Sequence, residues 1–130
     1  MREIKFRGYS VDIDKWVYGD LLQYRIFPII FDDNCEQHEC FAPSVGQYTG
    51  LRDKNGTEIY EGDIVSFEDS DGGYEYPDLV VNTGIVEYGE LGFYFTNRVA
   101  VEMDDFYIKD GRCDEVEVIG NIHDNPELMV

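Results

Sequence analysis

At 130 residues the chain suits one domain with a real but modest core. Its 28 acidic against 10 basic residues leave a net charge of −18, which disfavours binding to phosphate backbones, where affinity comes from Lys and Arg displacing counterions. An aromatic fraction of 15% favours sheet over helix, and no apolar run of about 18 residues is present to form a transmembrane helix.

The opening, MREIKFRG, is basic but is followed by no apolar core, so no secretory signal is expected and a cytoplasmic location is. Glu3–Arg7 alternates apolar and polar residues and reads as a half-buried strand, with Gly8–Asp14 as the connecting turn. Trp16–Leu22 reads as a second strand paired back on the first. Gly19 marks a bulge or a close approach in it, and the single Trp serves as a core anchor. Arg25–Phe31 is strongly apolar but carries Pro28, which cannot donate to a ladder, so an edge strand or extended arm is expected. A bare apolar edge is an aggregation hazard, so Ile26, Phe27, Ile29, Ile30 and Phe31 are either a self-association surface or buried in the chain's own core.

Asp32–Cys40 is polar and reads as a loop. Cys35, His38 and Cys40 have poor spacing for zinc, and Cys113 is distant and unaccompanied, so the three cysteines read as reduced thiols. Asp53-Lys54-Asn55-Gly56 is a hairpin turn with a mechanism: Asp accepts backbone hydrogen bonds and Asn-Gly tolerates positive φ. Its flanks, Gln47–Leu51 and Thr57–Tyr60, favour strand. A corner at Glu61-Gly62-Asp63 leads to Ile64–Phe67, so a three-stranded meander is expected here.

Glu68–Asp78 has no hydrophobic period and reads as an exposed acidic loop. Its Asp69-x-Asp71-Gly72 start lacks the rest of a calcium loop. Leu79–Val81, Thr83–Tyr88, Phe93–Thr96, Arg98–Met103 and Glu115–Ile122 read as further strands, and Asn125-Pro126 as the cap and first position of a one-turn helix. The pattern predicts a mainly β protein: a small, strongly bent, SH3-like barrel over Gln47–Ile122 beside an N-terminal hairpin. The single domain over 1–130 then has an arm, 1–45, packed on a body, 46–130. The alternative is an α+β fold with Asp104–Lys109 or the acidic loop helical.

Four segments carry a family resemblance: REIKFRG, KWVYGDLL, VGQYTGLRDKNGTEIYEGDIV and EVIGNIHDNPEL. In this order they resemble the YopX family of phage and prophage proteins, most strongly at Val45–Val65 and Glu117–Leu128 and least across Gln23–Pro43 and Glu68–Thr83. The resemblance implies an origin and a rough fold. It implies no catalytic residues.

No G-x-S-x-G, H-E-x-x-H or Walker pattern occurs, and neither His38 nor His123 sits in a catalytic signature. No catalytic, cofactor-binding or metal-binding residue is therefore assigned. From Asn55 to Asn97 there is no Lys or Arg, against ten carboxylates. The expected function is that of a non-enzymatic accessory protein, homo-oligomeric, that docks on a host or phage protein through an acidic surface including Glu68, Asp69, Asp71, Glu75 and Asp78. Acidity that only keeps an aromatic-rich β protein soluble is the plainer reading of the same charge. A small carboxylate- or metal-dependent hydrolase is the alternative function. Nucleic-acid binding survives only if Arg2, Lys5, Arg7, Lys15 and Arg25 cluster in space.

Overall fold

In the computed structural model of the protein, the hairpin turn forms as its side chains dictate. Asp53 Oδ1 accepts from the backbone N–H of Asn55 and of Thr57, each at 2.9 Å. Gly56 takes a φ of 82°, and its N–H donates back to the Asp53 carbonyl. The structure describes residues 3–24, 27–70, 79–89, 92–96, 101–102, 108–109, 112–113 and 116–129. Within them the fold is mainly β, in two sheets that are antiparallel but for a single parallel pairing, with two short 3-10 turns and no α-helix. The chain divides into two compact units, Met1–Gly50 and Leu51–Val130.

In the first unit, β1 (Phe6–Ser10), β2 (Lys15–Tyr24), β3 (Phe27–Phe31) and β4 (Gln37–Glu39) follow one another as antiparallel neighbours. β1 runs on through Gly8 to Ser10 where the sequence suggests a turn. Gly8 is forced to be small, because a Cβ there would come within 2.8 Å of Cys40 Sγ. The turn falls instead at 11–14, with Asp14 at a φ of 58°. Gly19 is a close approach, as its place in the pattern implies: a Cβ would land on the Phe31 carbonyl oxygen across the β2–β3 ladder. A bridge between Ser10 and Cys40 brings the end of β4 to the end of β1.

Two expectations fail here. Within the expected Arg25–Phe31 element, the described residues Phe27–Phe31 are not an edge strand or an arm: β3 pairs with β2 on one side and with β4 on the other. Pro28 is tolerated because its carbonyl, accepting from Cys40 N–H at 2.9 Å, is the group that this position uses. Asp32–Cys40 is not wholly a loop, because Gln37–Glu39 pairs with Ile29–Phe31 as β4. Inner-face residues Val17, Ile30 and Cys40 form a buried cluster, with Phe6, Leu21 and Val45 packed against it.

The second unit has its own core, of Ile59, Val65, Phe67, Val86 and Val116. β5 (Gly46–Arg52) carries the point of division, and β6 (Glu58–Tyr60) pairs back on it. β7 (Asp63–Ser70) does not extend that hairpin into a meander. It joins a five-stranded sheet in the order β10-β9-β8-β7-β13, made with β8 (Leu79–Gly89), β9 (Gly92–Thr96), β10 (Val101–Glu102) and β13 (Val116–Asn121). The corner is made by Gly62, at a φ of 91°, and by Asp63 Oδ2, which accepts from the Tyr60 N–H at 2.7 Å. β11 (Ile108–Lys109) and β12 (Arg112–Cys113) form a short hairpin whose Arg112 pairs in parallel with Arg52.

Among the described residues no closed barrel is found, since β6 and β7 part into different sheets. Of the α+β alternative, Ile108 and Lys109 are strand, Asp104–Tyr107 lies outside the described residues, and the start of the acidic segment is strand as well. The C-terminal turn is a 3-10 turn over Pro126–Met129, and the Asn125 carbonyl accepts from Leu128 N–H.

Candidate functional site

The β3–β4 hairpin gathers the most chemistry into the least chain. Its loop closes with Asp32 N–H donating to the Glu36 carbonyl at 3.0 Å and Cys35 N–H donating to the Asp32 carbonyl at 2.9 Å. Cys35 sits in the left-handed region at a φ of 61°, a conformation that costs a side chain roughly 1–2 kcal/mol. Asp32 Oδ1 accepts from the N–H groups of Asn34 and Glu36, each at 2.9 Å. That leaves Oδ2, which lies 2.8 Å from His38 Nε2. The imidazole is 7% exposed, on the inward side of β4, while Glu36 is exposed.

The hydrogen bond to His38, with the backbone bonds from Glu36 and Asn34, holds the Asp32 carboxyl below its ordinary range. Ligand atoms of Asp32, Glu36 and His38 lie within 4.8 Å of one another, and this is the group of three among the described residues that could hold a metal. The thiols singled out in the sequence do not converge on it. Cys35 is exposed, and Cys40 is buried with its Sγ toward the His38 carbonyl at 3.5 Å. Burial pushes the Cys40 thiol up, with Asp12 adding to the shift and a backbone contact with Ile30 opposing it.

The apolar run is divided between two faces. Ile30 is fully buried, and Pro28 is buried beside it on the inner face. Phe27 is 53% exposed, while Ile29 and Phe31 are half-buried. By register, Leu22 lies opposite Ile29 and shares this outer face, on which Tyr18 and Trp16 also lie. Ile26 lies outside the described residues.

The acidic segment is also divided. Glu68 and Asp69 belong to β7, opposite Val81 and Val80, where the sequence suggests a loop. Asp71, Glu75 and Asp78 lie outside the described residues. Not every carboxylate contributes to the exterior: Asp53 and Asp63 are buried and bind backbone N–H groups.

Of the five bases at the N-terminal end, the structure describes Lys5, Arg7 and Lys15, and Lys15 is exposed. Arg7 is buried, with its guanidinium 4.8 Å from the centre of the Trp16 ring. Lys5 lies 3.7 Å from Glu3 and over the Tyr48 ring. Arg2 and Arg25 lie outside the described residues. Among the described residues no helix is long and apolar enough to cross a membrane.

The YopX protein family matches residues 5–130, nearly the whole chain. The chain belongs to that family. It is also similar to a crystal structure of protein EF1440 from Enterococcus faecalis, at 24% identity and a TM-score of 0.58, over 100% of both chains. That likeness bears on the fold. No curated protein matches the chain.

Proposed function

We propose that the protein is a non-enzymatic accessory factor of phage or prophage type that works by docking on a basic protein partner. The observation that carries this reading is the stretch Asn55–Asn97, without a single Lys or Arg in a chain of net charge −18. Such a surface steers a basic partner and repels nucleic acid. Glu58, Glu61 and Glu87 are half-exposed members of it, and Asp63 is withdrawn by burial. Pull-down from a bacterial lysate at low and at high salt tests the reading: capture of basic proteins at low salt, lost at high salt, is expected. No capture, or capture indifferent to salt, ends it.

Self-association is the second part of the proposal, and it rests on the outer face rather than on a bare edge. Tyr18, Leu22 and Phe27 are each 45% or more exposed on that face, an apolar surface of the kind that a second copy covers. The mass in solution of the wild type and of Phe27→Asp tests it, with a dimer or larger assembly reduced by the substitution as the expected result. A monomeric wild type removes this part and leaves the docking reading standing. A hydrolase reading has one observation behind it, the Asp32, Glu36 and His38 grouping. Turnover of activated esters or phosphoesters that is lost in Glu36→Gln favours it, and its absence disposes of it.

A further inference from the structure

We infer that the β3–β4 hairpin is a binding site for a divalent transition cation of the zinc class, with Asp32 Oδ2, His38 Nε2 and the Glu36 carboxylate as its three protein ligands. The donor set is one imidazole and two carboxylates, which suits a borderline cation better than magnesium or calcium. The site is open on the Glu36 side, since Glu36 is exposed while His38 is 7% exposed beneath it.

Three independent features build it. The loop fixes Asp32 by spending Oδ1 on two backbone N–H groups, so that Oδ2 is aimed at the imidazole. That is the way outer contacts orient a ligating carboxylate. Strand β4 buries the His38 ring and turns Nε2 toward the same point, and outside the trio the ring has no other partner among the described residues. Glu36 then brings a second carboxylate to within 4.8 Å of both, with no Lys or Arg ion pair to either acid among the described residues. Two like charges beside one buried imidazole, in a chain this acidic, leave a local negative charge that a dication neutralises. Ligands at about 2.1 Å from a tetrahedral metal stand roughly 3.4 Å apart, so the 2.8 Å Asp32–His38 pair is already close to the required spacing.

His38 coordinates through Nε2 as neutral imidazole with its proton on Nδ1. In the neutral ring a proton on Nε2 therefore moves to Nδ1 as the Nε2–metal bond replaces the hydrogen bond to Asp32 Oδ2, with no net change of charge on the ring and no redox change.

The test uses the full chain after dialysis against chelator, titrated with Co²⁺ in excess Mg²⁺, which occupies sites made of carboxylates alone. One equivalent is expected, with a visible absorption band that Zn²⁺ abolishes by competition. Glu36→Gln, at an exposed position, should weaken affinity by about tenfold or more, and His38→Gln should abolish the band. The ring resonances of wild-type His38 should move on Zn²⁺ addition while those of His123 stay, a reading that stands even if His38→Gln does not fold. No saturable binding under excess Mg²⁺, an unmoved His38 ring, or affinity unchanged in Glu36→Gln overturns the site.

Discussion

Asp53 is a buried carboxylate with both oxygens engaged by backbone N–H groups. Its Oδ1 shapes the Asn55-Gly56 turn, and its Oδ2 accepts from Val118 N–H at 2.9 Å, which ties that turn to β13. Lys54 N–H adds a second tie, to the Val116 carbonyl. Asp53→Ala leaves three backbone donors without this acceptor, so a loss of about 2–4 kcal/mol in urea unfolding is expected, at the high end for bonds to a charged group. A loss under about 0.5 kcal/mol, the size of an ordinary surface substitution, would show that the turn and β13 do not depend on it.

Asp32 makes a different prediction, about pH. Its folded pKa lies below the ordinary 3.8, so its contribution to stability is complete above that value and is lost as pH falls through the lowered folded value. The difference in melting temperature between wild type and Asp32→Asn should therefore be full at neutral pH and shrink below about pH 4. A difference that grows on acidification would contradict the sign. Cys35 and Cys40 divide by exposure: iodoacetamide should label Cys35 in the folded chain and reach Cys40 only on unfolding, as read by peptide mass. Rapid labelling of Cys40 in the native protein would place it outside the core.

Among the elements, β3 shows most clearly where local chemistry stops deciding. Proline in an apolar run argues for an edge, yet the partner on the far side of β3 is a three-residue strand, Gln37–Glu39, whose composition signals a loop. Only the inward His38 and the ladder with Ile30 reveal it. The same limit applies to Ser70, which pairs with Leu79 beyond where hydrophobic periodicity ends, and to Gly8, whose place in β1 depends on Cys40 far along the chain. Signals confined to a few residues were legible: the Asn55-Gly56 hairpin, the strand at Trp16 and the C-terminal turn at Pro126.

The candidate metal trio was missed because thiol spacing drew the reading to Cys35 and Cys40. The available signal was Asp32, Glu36 and His38 flanking a hairpin loop, which becomes meaningful only once β3 and β4 pair. Gly19 tests the ladder on the other side of β3. Gly19→Ala puts a methyl on the Phe31 carbonyl oxygen and cannot be accommodated without separating β2 from β3. A loss of about 2–4 kcal/mol, or failure to fold, is expected by denaturant titration. Wild-type stability would mean that the two strands do not approach as described.

At the scale of the molecule, net charge speaks to partners and solubility rather than to fold. The chain belongs to the YopX family over residues 5–130, and the proposed docking rests on the acid-rich, base-free stretch Asn55–Asn97. The outer face of β2 and β3 adds an apolar surface of exposed Tyr18, Leu22 and Phe27. The two surfaces make separable demands, since charge governs how fast a partner arrives and apolar burial governs how long it stays. The most direct measurement is the association rate between the purified chain and the most basic protein that it captures, followed from about 50 to about 500 mM salt. Docking through an acidic surface predicts a rate that falls steeply across that range while the dissociation rate changes little. An association rate indifferent to salt would contradict it.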